Sequence, residues 1–394
     1  PVTGDDDLND GQSWESPFYT ITHAIALVIG TENAPVNIYL AEGTYSPSTN
    51  GESLPIVMFS FINLIGQGEE VTIIDAEQTD RVFLMEDCDN NIISNLTIMG
   101  GDSPALFAGS GGGGMHLFNS NPTLTNVTIA SNTAAGEGGG MYLDYSDPIL
   151  TNVTIENNTV EHSGGGMYLY ISNPTITNVT ITNNTAEYRG GGMYLWYSNP
   201  ILNHVTISEN TAGWRGGGMY LTNLSNPTLR NVTIADNTAT EYYGGGMQIN
   251  SSNPTIINSI IWDNSPESIS ENGSFNFLIV FSDIQGGWEG EGNINSDPFF
   301  ADPENGYYTL QNDSPCIDTG IVLEDIEYCG SSPDMGAYEY CECGAELGDV
   351  TGDSEINILD LVQIANLILE TSTPAYECAA DYNGDGQFNI LDLV

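Results

Sequence analysis

Through the middle of the chain, apolar and polar residues alternate with a period of two, as in Thr175-Ile-Thr-Asn-Val-Thr-Ile181. Runs that are β-branched at nearly every position and alternate this way predict strands, not helices. Each run leads through a polar Asn-Asn-Thr-Ala type turn into Gly-Gly-Gly-Met, with the methionine at 115, 141, 167, 193, 219 and 247. The first four intervals are 26 residues and the last is 28. Proline follows the methionine by seven at Pro122, Pro148, Pro174, Pro200 and Pro254, and by eight at Pro227, each time preceded by Asn or Asp. Gly-Gly-Gly and Asn-Pro punctuate where the chain must turn or approach another backbone closely. A repeat this short holds only a few strands and cannot bury its apolar face alone, so the repeats must stack on one another. A leucine-rich repeat would need a leucine scaffold and a helical segment, and neither is present.

Two asparagine columns run through the repeats. The first holds Asn132, Asn158, Asn184, Asn210, Asn237 and Asn264; the second holds Asn126, Asn152, Asn178, His204, Asn231 and Asn258. Stacked inward at bends about 4.8 Å apart, one amide can donate to the next and accept from the previous one. Asn-Val-Thr is also a glycosylation sequon at Asn126, Asn152, Asn178 and Asn231, a competing reading for that column. Asn157, Asn183, Asn223 and Asn272 are the positions expected to be exposed.

Counting each methionine as inward predicts what faces outward. One residue on come His116, Tyr142, Tyr168, Tyr194 and Tyr220; three residues on come Phe118, Asp144, Tyr170, Trp196 and Thr222. Five residues before the methionine come His162, Tyr188, Trp214 and, by the same spacing, Tyr242. Arg189 and Arg215 share the column four residues before it. These side chains are expected to form an outward aromatic sheet with two stacked guanidiniums, serving as a contact face. Rings with polar tips suit sugar faces or a neighbouring molecule, and an exposed patch of this size marks a contact surface. A purely structural ladder is the alternative.

Charge narrows the partners. The 53 acidic residues face four basic ones, all arginines, for a net charge of −49. Such a chain repels nucleic acid and anionic membranes and attracts divalent cations. The apolar stretches are strand-sized, so no membrane span is expected. The chain opens at Pro1, as a processed or trimmed protein would. Of the six cysteines, Cys316, Cys329, Cys341, Cys343 and Cys378 are disulfide candidates, with Cys316–Cys329 preferred and Cys378 joined to Cys341 or Cys343. Cys88 stands alone. Disulfides would place the protein in an oxidising, extracellular setting.

Near the end, Asp349-Val-Thr-Gly-Asp-Ser-Glu-Ile-Asn-Ile-Leu-Asp360 puts oxygen-bearing side chains at loop positions 1, 3, 5, 9 and 12. The same pattern returns in Asp381-Tyr-Asn-Gly-Asp-Gly-Gln-Phe-Asn-Ile-Leu-Asp392. Calcium needs six to eight hard oxygens, and this spacing wraps the chain around one ion. The expected ligands are Asp349, Thr351, Asp353, Glu355 (through its backbone carbonyl), Asn357 and Asp360, then Asp381, Asn383, Asp385, Gln387, Asn389 and Asp392. Ser354 replaces the turn glycine and Thr351 a stronger ligand, so the first loop is expected to bind more weakly.

These residues resemble two families. The repeats, with an opening segment Pro17-Phe-Tyr-Thr-Ile-Thr-His-Ala-Ile25 and closing pieces Ser314-Pro-Cys-Ile-Asp-Thr-Gly320 and Pro333-Asp-Met-Gly-Ala-Tyr-Glu-Tyr340, resemble the pectate-lyase-like right-handed parallel β-helix superfamily, especially bacterial surface proteins with polymorphic-membrane-protein-like repeats. The duplicated loops resemble type I dockerin. The resemblance implies an all-β right-handed parallel β-helix solenoid over 1–340, with a cap helix in 1–34, the clearest rungs in 112–265 and closing rungs in 266–340. A small α-helical dockerin-like calcium module follows over 341–394. Its first helix is expected over 358–370, and its second stops at Leu393-Val394, so the module is read as truncated.

The resemblance implies a cohesin-like partner, a like molecule or a calcium-dependent spacer role for the module. Lyases of the superfamily use Arg or Lys beside calcium-binding carboxylates. No acidic cluster here matches that arrangement, and lysine is absent. The expectation is a secreted or cell-surface, non-catalytic protein that binds glycan or self-associates, even into filaments, through the aromatic face. The alternative is a polysaccharide lyase or glycoside hydrolase docked into a complex.

Overall fold

The structure, a computed structural model, describes residues 4–104, 111–273, 277–324, 326, 328–341, 348, 350–351, 355–369 and 380. The repeats coil into a solenoid whose strands pair only with the equivalent strands of neighbouring rungs. Long strands such as Thr175–Thr182 form a 14-stranded sheet, and the methionine strands such as Met167–Tyr170 form a nine-stranded one. Two-residue strands such as Thr185–Ala186 form a third sheet of six. Solenoid pairings are parallel, and the methionine strands keep strict register: Met141 lies beside Met167, and Met167 beside Met193.

The core follows from the alternation. Met193, Leu195, Leu202, Val205 and Ile207 point inward and are completely buried, and each neighbouring rung repeats the set. Fully burying one such side chain stabilises the fold by about 1.5–3 kcal/mol, so several per rung offset the ordering of a short repeat.

Corners need left-handed backbone, and the sequence places it one residue before each inward polar group. Asn157 (φ 54°) and Asn183 (φ 55°) turn the chain so that Asn158 and Asn184 point in. The first asparagine column is the inward ladder expected. Asn158 Nδ2 donates to Asn184 Oδ1, and Asn184 Nδ2 to Asn210 Oδ1, each at 3.0 Å. Each Oδ1 also accepts the backbone N–H of the preceding rung's asparagine, at 3.0 Å for Asn158 and 2.9 Å for Asn184.

The second column departs from expectation. Its members are themselves the left-handed corner residues, with φ of 53° at Asn152 and Asn178, so their side chains swing outward. Asn152 and Asn178 are exposed and chain only loosely, with Asn178 Nδ2 donating to Asn152 Oδ1 at 3.4 Å.

A further inward ladder was not anticipated. Ser120, Ser146, Ser172, Ser198, Ser225 and Ser252 are all fully buried. Each backbone N–H donates to the next serine's Oγ at 3.0–3.1 Å. The residue before most of these serines, including Tyr145, Ile171 and Tyr197, is left-handed.

The ends are closed differently. A short helix, α1 (Ile21–Ala26), covers the first rung where an opening helix was expected. Glu52 accepts from Ile21 N (2.6 Å) and Thr22 N (3.0 Å) at its start. Asp6 is spent on Tyr19 N, Thr20 N and Thr20 Oγ1, so the 5–7 acidic run is a structural cap.

At the other end, the chain folds back along the long-strand sheet. Phe300, Tyr308, Leu310, Cys316 and Met335 pack on Ala235 and Ile260. This corrects the disulfide expectation. Cys316 is a buried thiol within that cluster and donates to Asp283 Oδ2 at 3.3 Å, whereas Cys329 bonds Cys341 across a Cα–Cα distance of 5.3 Å. Cys341 is thus unavailable to Cys378; Cys343 and Cys378 lie outside the described residues.

In the C-terminal module, α2 (Ile358–Ile368) forms where the first module helix was expected, opened by an Asn357–Asp360 capping box.

Candidate functional site

The methionine-strand face was expected to expose its tyrosines. It does not. Tyr142, Tyr168, Tyr194 and Tyr220 point away from the core but are at most 8% exposed. They stack on one another: the Tyr168 and Tyr194 ring centroids are 4.7 Å apart with planes 5° apart, and Tyr194 and Tyr220 are 5.2 Å and 10° apart. The reason is lateral. Larger side chains from the turns on either side lean over this column, and the rings become the floor of a trough.

One wall comes from the turn before each methionine. His162, Tyr188, Trp214 and Tyr242 meet edge to face, with Tyr188 and Trp214 centroids 5.0 Å apart. Tyr188 and Trp214 stay 38% and 37% exposed, so this wall remains open to a ligand. The Arg189 guanidinium lies 5.3 Å from the Tyr220 ring centre and 5.7 Å from that of Trp214, and Arg215 lies 5.3 Å from Tyr242. The opposite wall comes from the strand ends: Tyr170 and Trp196 are half-buried, with Tyr145 and Tyr197 beyond them on the surface.

The electrostatics of the trough are unusual for so acidic a chain. Neither Arg189 nor Arg215 has a carboxylate within 4.0 Å among the described residues, where a single ion pair joins His162 to Glu137. Each Nε is buried without a hydrogen-bond partner. Cation–π contact holds both side chains, and Arg189 also hydrogen-bonds the Tyr194 hydroxyl, so that neither charge is paired with a carboxylate among the described residues. Burial pushes the Tyr142, Tyr168 and Tyr194 hydroxyls well above the ordinary phenol range, and Arg189 partly offsets this at Tyr194.

Upstream, His116 touches the Arg81 guanidinium through Nδ1. Burial and then that positive charge lower its pKa to about 4, so it continues the floor as a neutral ring.

On the same rung as Tyr142, burial raises Glu137, against the pull of His162, and burial raises Asp144. Both carboxyls act on Tyr142, and Asp144 Oδ1 is buried without a partner. The alternation places Asp144 in the outward column three residues after the methionine, and Glu137 is not among the residues that it singles out. Its signal was available: Glu137 occupies the column that later holds the arginines.

The calcium loops are described in part. Asp360 accepts from Thr351 N (3.1 Å), Thr351 Oγ1 (2.9 Å) and Asn357 N (2.8 Å), which draws loop positions 3, 9 and 12 together. Thr351 Oγ1 and Asp360 bring side-chain oxygens of positions 3 and 12 together, as a calcium loop uses them, while Asn357 Oδ1 accepts from Leu359 N at 2.9 Å and caps the helix. Glu355 lies between them. Asp349, Asp353, Asp381, Asn383, Asp385, Gln387, Asn389 and Asp392 lie outside the described residues, and no group of three or more acidic, His or Cys side chains placed to hold a metal is found among those described.

No curated protein matches the chain. Among solved structures, pectate lyase Pel9A shares 14% identity at a TM-score of 0.49, over 86% of this chain and 94% of its own. The A-module of Azotobacter vinelandii mannuronan C-5 epimerase AlgE6 shares 12% at 0.26, over 68% of this chain and 92% of its own. ORF18 of Geobacillus virus E2 shares 11% at 0.32, over 64% and 55%. The description "Right handed beta helix region" matches residues 62–211 and 120–284, and "Dockerin type I domain" matches 347–394. With more than half of its residues matched by the first, the chain belongs to the right-handed β-helix family and ends in a dockerin type I domain.

Proposed function

We propose that this is a secreted, non-catalytic binding protein whose trough takes an acidic glycan and whose dockerin domain attaches it to a larger assembly. The observation that supports this most is the Arg189–Arg215 pair. Two guanidiniums on adjacent rungs, uncompensated in a chain of net charge −49, concentrate positive charge where aromatic rings can stack on sugar faces. A guanidinium fork matches a carboxylate in shape and charge. Trp214 and Tyr188 would carry the sugar faces from one wall and Trp196 and Tyr170 from the other, with the tyrosine floor holding both walls in place. In this reading the earlier contact face narrows: Tyr142, Tyr168, Tyr194 and Tyr220 support the site from below.

The test is a titration with polygalacturonate and with neutral glycans, using the full chain and a Trp196→Ala/Trp214→Ala variant. Preference for the acidic polymer, lost at least tenfold in the variant, is the expected result. Equal binding by both proteins would remove the trough as the site.

The dockerin domain would hold calcium through Asp349, Thr351, Asp353, Asn357 and Asp360 in the first loop, with the carbonyl of Glu355, and through the matching residues of the second. Calcium there would fix the loops against α2 and present the domain to a cohesin-like protein partner. Chelation is expected to abolish that capture while leaving glycan binding intact. An extracellular location accords with the dockerin domain and the Cys329–Cys341 disulfide, and no described helix is long and apolar enough to cross a membrane.

A catalytic reading has one specific observation in its favour. Glu137 and Asp144 are half-buried carboxyls on one rung, and burial raises both, the direction a general acid needs. Depolymerisation of an acidic polysaccharide by the full chain, abolished in Asp144→Asn with its binding retained, would establish it.

A further inference from the structure

The outer face of the long-strand sheet carries a second column, independent of the trough. Thr97, Thr128, Thr154, Thr180, Thr206 and Thr233 stand side by side on successive rungs. The chain covers this column at both ends and leaves its middle open. At the first end, a loop crosses it and Glu69 takes both hydroxyls: Thr97 Oγ1 donates to its carbonyl at 2.7 Å, and Thr128 Oγ1 to its Oε2 at 2.5 Å. At the other end, the returning closing segment lies on it. Ala337 N donates to Thr233 Oγ1 at 3.0 Å, and Thr206 and Thr233 are 3% and 0% exposed.

Thr154 and Thr180, between these covers, are half-exposed, and neither hydroxyl has a hydrogen-bond partner among the described residues. Exposed Asn152 and Asn178 stand beside them. The Glu69–Glu70 loop and these four residues line a cavity of about 650 Å³.

The volume is that of a small-molecule site, and its chemistry is selective. The lining offers hydroxyls, amides and two carboxylates, with no cation and no aromatic ring. An anion would meet Glu69 and Glu70 with nothing to compensate it. Burial and then the nearby Glu70 hold the Glu69 carboxyl above the usual range, with Thr128 pulling the other way. An apolar group would strand the hydroxyls. A neutral polyol can donate to Glu69 and Glu70, accept from Thr154 and Thr180, and exchange both kinds of bond with Asn152 and Asn178. The chain's own covers already show both roles: the column donates to Glu69 oxygens at one end and accepts the Ala337 N–H at the other.

We propose that this trench is a second carbohydrate subsite, selective for an uncharged sugar chain, on a different face of the solenoid from the acidic-glycan trough. The two sites differ in the sign of their field, so one protein would hold chemically different segments of a mixed polysaccharide. The trench stands on its own residues and does not rest on the trough reading.

The test is calorimetric titration of the full chain, in saturating calcium, with cellohexaose, xylohexaose and mannohexaose. The variants are Thr154→Val/Thr180→Val, which keeps shape while removing both hydroxyls, and Arg189→Ala/Arg215→Ala. At least one neutral hexaose is expected to bind, with affinity reduced tenfold or more by the threonine pair and unchanged by the arginine pair. The threonine variant should keep its melting temperature and its polygalacturonate binding. Absence of binding by all three sugars, unaltered affinity in the threonine variant, or competition by calcium that Glu69→Gln abolishes would each overturn the proposal. The last result would identify the trench as a cation site.

Discussion

The two broad faces of the solenoid bury their outward residues by different means. On the methionine-strand face the outward residues are large, and they bury one another: Tyr168, Tyr194 and Tyr220 stack along the axis while Trp196 and Arg189 lean in from the sides. On the long-strand face they are mostly threonines and asparagines, too short to cover themselves. Thr233 is sealed because another part of the chain lies on it; Thr154, in the same column, is not. The difference separates two meanings of "outward". A large outward side chain in a stacked repeat can become a second core, and a small one stays available until something covers it.

The comparison can be broken at several points. The largest effect is expected from the inward ladder. Asn184 accepts from Asn158 N and Nδ2 and donates to Asn210, Ile155 and Thr182. Asn184→Ala strands several buried polar groups, each costing about 1–3 kcal/mol, and should destabilise by about 4 kcal/mol in urea unfolding. A cost below about 1 kcal/mol would show that the ladder is incidental.

Next comes Tyr194→Ala, which opens a cavity in the tyrosine floor. It should cost about 3 kcal/mol, as for a core aromatic. Tyr188→Ala on the open wall should cost under about 1 kcal/mol. Similar costs for the two would contradict the division between floor and wall.

The fold was legible because the 26-residue marks (methionine, proline, glycine and the first asparagine column) each encode a local necessity. What was missed depended on neighbours. Period-two counting places Tyr194 outward, but only the turn side chains of other rungs decide whether outward means wet. Asn152 was read as inward because the left-handed corner residue adds one step to the alternation, and a strand pattern does not reveal such a step. The serine ladder was readable, since Ser stands two before each proline from Pro122 to Pro254. The Cys329–Cys341 pairing was not, because it depends on how the closing segment returns.

That closing segment should also respond to pH. Burial, first of all, raises Asp283 to about 6 and Glu339 to about 7, with Asp297 adding to the first and Asp334 and Asp318 to the second. Their folded pKa values lie above the unfolded ones, so the folded segment binds more protons than the unfolded chain. The resulting stabilisation is full below about pH 4 and is lost as pH rises through about 6 and then about 7. Hydrogen exchange of residues 294–340, corrected for intrinsic rate, should be slower at pH 4.5 than at pH 7.5, while residues 167–196 change little. Faster exchange at the lower pH would mean these carboxyls are ionised in the fold.

A smaller gain is expected at Ile171. Its φ of 49° places a β-branched residue in left-handed backbone. Ile171→Asn should stabilise the protein by about 1 kcal/mol, because asparagine tolerates that conformation better. A loss instead would show that the Ile171 side chain contributes more than its backbone costs.

The most direct measurement concerns the uncompensated cations of the trough. Polygalacturonate affinity should be compared for the native chain, Arg189→Gln/Arg215→Gln and Arg189→Lys/Arg215→Lys, with melting temperatures recorded alongside. The glutamine pair is expected to lose at least tenfold, the lysine pair to lose less, and all three proteins to melt within a few degrees of one another. Undiminished binding by the glutamine pair would contradict the assignment of the trough to an acidic glycan.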